Sequence, residues 1–207
     1  MSKAAGAESD RDRPLDAVRH RLHGILVFLG AIWAVFLLGR FFSTFDANRL
    51  GLVPRSLGGL LGILTMPFVH ANWSHIAANT VPLVVLLTLL VASKAKPWGT
   101  LAGLSVASGV LLWLLGRPGQ HVGASALIYT LVTFLIVTGL LEKSLPALVV
   151  SFVVGFLYGG TLIWGVIPGL RAGVSWDGHL YGAIAGVVVA YALRFDPRQR
   201  RPELPEP

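Results

Sequence analysis

Apolar residues gather in six blocks separated by short polar breaks. The first runs from Gly24 to Gly39 and continues past Arg40 to Phe45. Ile76–Ser93 has 18 residues without a charge, Pro97–Gly116 has 20 and Val122–Leu141 has 20. The fifth lies within Ser144–Leu170, a charge-free run of 27, and the sixth is Gly178–Leu193, with 16. A helix crosses the hydrocarbon core with about 20 residues, so each block predicts a spanning helix. The first and last are short, but Arg40 and Arg194 can reach the headgroups with long side chains. A thirteen-residue apolar run, Leu57–Val69, is too short to cross. Its Leu57-Gly58-Gly59 start and Pro67 weaken a long helix, which predicts an outer-leaflet loop structure between the first two spans. The expected class is an all-α polytopic membrane protein. Its six-helix membrane domain covers 23–194, between tails at 1–22 and 195–207.

Composition supports this reading. Hydrophobic residues make up 54% of the chain and charged ones 13%, against about 25% charged in soluble domains. A net charge of +7 would suggest nucleic acid in a soluble protein. Here the Lys and Arg sit at membrane edges, so the lipid bilayer is the expected partner and nucleic acid is not. There is no cysteine, which excludes disulfides, thiol nucleophiles and Cys-based metal or redox sites. Nothing in the pattern sets an oligomeric state.

The first block has the basic flank of a secretory signal but no small-x-small cleavage site before Asp46, and reads as a retained anchor. With the amino terminus inside, the cytoplasmic segments hold 12 Lys and Arg, namely Lys3, Arg11, Arg13, Arg19, Arg21, Lys94, Lys96, Lys143, Arg194, Arg198, Arg200 and Arg201. The outer segments hold 5: Arg40, Arg49, Arg55, Arg117 and Arg171. This excess predicts both termini in the cytoplasm and a multi-pass protein of the plasma membrane.

Polar side chains in a bilayer are costly and usually face a protein interior or a wet cavity. His75 and Asn79 open the second span, Ser125 and Tyr129 the fourth, and His179 the sixth. His70 and His121 lie just before. All three spans begin on the outer side, so one hydroxyl and two imidazoles reach a similar depth. His75 and Asn79 share a face at i, i+4, as do Ser125 and Tyr129. His179, Gly182 and Gly186 also share one, and the two glycines let a neighbouring backbone approach. If that neighbour is the fourth span, Ser125 meets His179. A serine hydroxyl needs an adjacent base to act as a nucleophile, and the oxyanion it generates needs preorganised donors. The backbone N–H of Ser125 and the side chains of His75 and Asn79 are candidates.

Each residue alone has a plainer reading. A membrane serine commonly bonds back to its own helix. A lone His or Asn is often interhelical glue. Trp73, Trp98 and Trp176 read as interface residues. Asp177, two residues before His179, faces elsewhere and reads as a loop or capping residue. Metal chemistry has little support. There is no H-E-x-x-H, and a three-histidine zinc site from His70, His75 and His179 would lack a supporting carboxylate. Neither metal nor cofactor is expected. Glu142 and Asp177 fall on opposite sides of the membrane, so they form no carboxylate pair. A transporter would place its polar site near the midplane rather than at one end.

At these residues the chain resembles the rhomboid family of intramembrane serine proteases. His70-Ala-Asn-Trp-Ser-His75-Ile-Ala-Ala-Asn79 matches the family's H-x4-H-x3-N. Gly123-Ala124-Ser125-Ala126-Leu127-Ile128-Tyr129 resembles its G-x-S-G-x-x-Y, and His179-Leu-Tyr-Gly182-Ala-Ile-Ala-Gly186 its H-x-x-G-x-x-x-G. The resemblance covers roughly residues 24–194. It implies Ser125 as nucleophile and His179 as general base and acid, in a dyad without aspartate. It implies Tyr129 packed on the His179 ring, an oxyanion hole of His75, Asn79 and the Ser125 amide, Gly123 keeping the approach open, and His70 tying the outer loop. Substrates would be membrane-spanning protein segments, cut near their outer ends. The alternative is a catalytically silent relative that binds membrane helices; such relatives typically lack the serine or the histidine, and both are present. Two positions depart from the pattern. Ala126 stands where the family usually has glycine, and Gly62-Ile63 stand near its outer-loop Trp-Arg pair.

Overall fold

A computed structural model of the chain describes residues 3–42, 44–94, 96–170 and 174–195, with residues 3–18 described by their backbone alone. The expected carboxy-terminal tail beyond 195, and Arg171 of the outer count, lie outside the described residues. Among the described residues six long helices carry the fold: α1 (Lys3–Phe41), α3 (Trp73–Ser93), α4 (Pro97–Leu115), α5 (Ser125–Glu142), α6 (Leu145–Gly165) and α7 (Trp176–Arg194). A single helical turn, α2 (Gly62–Thr65), sits between α1 and α3. Among the described residues five segments are long and apolar enough to cross a membrane: Arg19–Phe41, α3, α4, α5 and α6.

The sixth helix, α7, is less apolar. It carries Asp177, His179 and three glycines, and it lies against α5 and α4 in the middle of the bundle. A helix shielded by its neighbours does not need a lipid-compatible surface all round. The first helix begins earlier than its apolar block requires. It is helical from Lys3, through the segment expected to be a tail. Ala and Arg make up eight of residues 3–22 and are good helix formers.

α5 is the core helix. Leu127, Leu131, Phe134 and Leu135 are buried, together with Leu83, Leu86, Leu87 and Leu90 of α3 and Leu104 of α4. α6 lies at the periphery, with only Ser151 and Val154 buried, and exposes Phe152, Phe156, Ile163 and Trp164. Exposed aromatic and aliphatic side chains on a spanning helix are what hydrocarbon requires.

α7 packs on α5 through small residues. A Cβ on Gly182 would strike the carbonyl of Ala126, and one on Gly186 would strike Thr133 and the Thr130 carbonyl. Thr133 then donates across the gap to the Ala183 carbonyl, at 2.9 Å. Close approach with a cross-helix hydrogen bond is the usual means of association where water supplies no driving force. α3 runs through Pro82 without ending.

The connection between α1 and α3 is the expected non-spanning loop, built from short turns: Ala47–Leu50, Leu57–Gly59, α2 and Met66–Phe68. It is anchored without a Trp-Arg pair. Gly62 lies so close to Leu52 that any Cβ would overlap that residue's backbone, and Ile63 sits against Gly109 of α4. Arg55 donates to the Gly116 carbonyl at 2.7 Å and to that of Leu114 at 3.2 Å, at the end of α4 where carbonyls lack helical donors. Trp113 donates to Ser56 O at 3.0 Å. Leu52 and His121 exchange backbone hydrogen bonds of 2.9 and 2.8 Å, which joins the loop to the strand-like lead into α5.

Candidate functional site

Three helix starts converge at one end of the bundle. Ser125 is the first residue of α5, His75 the third of α3 and His179 the fourth of α7. Asn72 caps α3, its side chain accepting from the His75 N–H at 2.9 Å. Ser175 caps α7, accepting from the Gly178 N–H at 3.1 Å. No side chain caps α5, which follows Ala124. Its first N–H groups, Ser125 among them, therefore lack helical acceptors and form a donor array.

His179 is buried, with its ring flat on that of Tyr129; the centroids are 4.1 Å apart and the planes differ by 6°. Its Nδ1 lies 2.9 Å from the Gly165 carbonyl at the end of α6. A carbonyl only accepts, so Nδ1 carries the proton and the neutral ring keeps its lone pair on Nε2. The Tyr129 hydroxyl donates to the Thr161 carbonyl at 2.6 Å. Ser125 is half-buried and lies one helical turn before Tyr129 on the same face of α5. No hydrogen bond joins Ser125 to His179 in this structure. Such bonds are often long before substrate is bound.

On the other side, Gly123 adopts φ +109°, a conformation that side chains resist. A Cβ there would lie 2.5 Å from His75 Nε2 and 3.6 Å from Asn79 Nδ2. Gly123 thus brings both side chains up to the chain two residues before Ser125. Its N–H donates to the Met66 carbonyl at 3.1 Å, fixing this turn to the loop between α1 and α3. Asn79 is buried, and its Nδ2 donates to His70 Nε2 at 3.0 Å. His70, in the loop before α3, is held down at about 4, chiefly by burial and secondly by neighbouring His75. Neutral His70 can accept from Asn79, which turns the amide nitrogen of Asn79 into this cluster.

A second polar cluster lies above the first. Asp177 is 1% exposed, and its role exceeds that of a loop or capping residue. It accepts from the Arg117 backbone N–H at 2.8 Å, the Arg117 guanidinium at 3.2 Å and the Ser175 hydroxyl at 2.9 Å. His121 bonds Ser175 at 2.8 Å through Nδ1. The Arg117 guanidinium also lies 4.8 Å from the centre of the Trp176 ring. Buried charge needs compensation of this kind. The cluster ties the segment that leads to Ser125 to the one that leads to His179.

These motifs, in this order on these helices, agree with the comparison of the chain with known families. A Rhomboid domain matches residues 57–195. The chain belongs to the rhomboid family. Similar proteins include the uncharacterized protein Rv1337 of Mycobacterium tuberculosis, 40% identical over 86% of this chain and 77% of that one. The uncharacterized protein ML1171 of Mycobacterium leprae is 38% identical over 86% of this chain and 73% of its own length. This rhomboid is an integral multi-pass membrane protein whose helical bundle sits in the lipid bilayer. Its polar residues gather at one end of that bundle.

Proposed function

We propose that this rhomboid is an intramembrane serine endopeptidase. The carbonyl-bound ring of His179, stacked on Tyr129 one helical turn from Ser125, carries the reading. With Nδ1 protonated, Nε2 takes the proton of the Ser125 hydroxyl as its oxygen attacks the scissile carbonyl. The resulting oxyanion accepts from the Ser125 N–H and from His75 and Asn79, the two side chains gathered at Gly123. His179, now with two N–H groups, gives the serine's proton to the leaving amine as the C–N bond breaks. Water then attacks the acyl ester by the same exchange and frees Ser125.

Substrates on this reading are membrane-spanning protein segments cut near their outer ends. The excess of Lys and Arg at one set of loops supports a plasma-membrane protein with both termini in the cytoplasm. The membrane domain extends over 23–194.

Cleavage of an artificial spanning substrate by the purified protein in vesicles tests the assignment. The expected result is one cut near the outer end, absent in Ser125→Ala and in His179→Ala. Retained cleavage in either variant, or none by the wild type on a panel of spanning segments, would leave a helix-binding protein instead.

A further inference from the structure

We propose that the main-chain carbonyl of Gly165 is the positioning group for His179, filling the place that a carboxylate takes in a triad. The inference rests on the roles proposed above for Ser125 and His179. A histidine base works only if one nitrogen is held protonated and the other is aimed at the nucleophile. Among the described residues, Asp177, two residues from His179, is turned away and saturated by Arg117 and Ser175. The Gly165 carbonyl is 2.9 Å from His179 Nδ1. Gly165 is the last residue of α6, so its carbonyl has no donor further along the helix.

The residue type follows from the same geometry. A Cβ at Gly165 would overlap the Tyr129 hydroxyl and come 3.1 Å from His179 Nδ1. Glycine is what lets the stacked pair reach the backbone. One turn earlier the Thr161 carbonyl receives Tyr129 at 2.6 Å. The outer turn of α6 thereby fixes both rings, Tyr129 through its hydroxyl and His179 through Nδ1. α6 otherwise touches α7 sparsely. When Nε2 takes the serine proton, Nδ1 keeps its own, and the carbonyl faces an imidazolium N–H. When Nε2 gives that proton to the leaving amine, the original bond is restored.

Side-chain 15N NMR of the full-length protein in detergent, with His179 assigned by loss of its signals in His179→Gln, reads the tautomer directly. The expected resting state is neutral with Nδ1 protonated; an Nε2-protonated ring would overturn the proposal. An amide-to-ester exchange at the 165–166 linkage weakens the Gly165 carbonyl as an acceptor without adding atoms. It is expected to slow labelling by a fluorophosphonate about tenfold and to mix the tautomers, with the melting temperature held. Gly165→Ala is expected to abolish labelling. A wild-type protein that labels, with ester and alanine variants that label equally fast and keep its tautomer, sinks this inference alone. A wild-type protein that does not label counts against the proposed function, while the tautomer still tests the Gly165 bond.

Discussion

Tyr129 and His179 lie ring on ring, 4.1 Å between centroids and within 6° of parallel. The stack comes from two helices far apart in sequence that can approach because Gly182 and Gly186 leave α7 without a side chain at the points where it meets the α5 backbone. It fixes the plane of the imidazole, and the Gly165 bond fixes its rotation within that plane.

Tyr129→Phe keeps the stack and loses the bond to Thr161. A neutral hydrogen bond contributes about 1 kcal/mol, so kcat on a spanning substrate is expected to fall roughly fivefold with little change in KM. Tyr129→Ala removes the face on which His179 rests and is expected to fall further, by about a hundredfold, since small misplacements of reacting groups carry that cost. Equal activity of Tyr129→Ala and wild type would show that the stack orients nothing.

Enlarging the glycines tests the helix packing apart from chemistry. Gly186→Ala puts a methyl into Thr133 and the Thr130 carbonyl. Overpacking of this sort costs about 1–3 kcal/mol. The expected outcome is a lower melting temperature in detergent for Gly186→Ala and Gly182→Ala. Gly159→Ala, where a Cβ meets nothing within 4 Å, is expected to leave stability unchanged. A similar loss in all three would contradict the packing described.

The Asp177 cluster separates buried charge from exposed charge. Asp177→Ala strips acceptors from Arg117 and Ser175 and is expected to destabilise by about 3 kcal/mol. Arg117→Ala is expected to cost about 1 kcal/mol, because its side chain is 54% exposed and its backbone N–H still reaches Asp177. Thermal unfolding of the two variants decides, and the reverse order would place the energy elsewhere.

Acid sensitivity is expected from His70. Its folded-state value of about 4 lies below the ordinary 6.5, so the unfolded chain takes the proton first as pH falls. The contribution of neutral His70 is complete above pH 6.5, is lost progressively toward pH 4 and is flat below that. Protonated His70 also cannot accept from Asn79. The melting temperature of wild type should therefore fall more steeply than that of His70→Asn over this window. Parallel profiles would mean that His70 is not held neutral.

Much of this arrangement was legible in the chain. Block length predicted the long helices, and the i, i+4 spacing of Ser125 and Tyr129 put them on one face of α5. The weaker apolarity of α7 was legible too, in His179 and the glycines that its central position permits. What escaped were contacts without a side-chain pattern. The carbonyls of Thr161 and Gly165 carry no residue-type signal, and Asp177 finds Arg117 sixty positions away. A signal for that pair was present. Asp177 is a rare acid between Asp46 and the carboxy-terminal tail, and Arg117 is one of few cations on its side of the membrane. A charge near lipid seeks a partner. The loop anchorage was read through the missing Trp-Arg pair, whereas close glycine contacts at Gly62 and Gly109 and the reach of Arg55 do that work.

The central claim is that Ser125 is a nucleophile made reactive by His179. Mass spectrometry of the purified protein after fluorophosphonate treatment tests it most directly. The account predicts a single phosphonyl adduct on the peptide containing Ser125, lost in Ser125→Ala and strongly reduced in His179→Ala. No adduct on Ser125 in folded wild-type protein, or undiminished modification of Ser125 in His179→Ala, would contradict it.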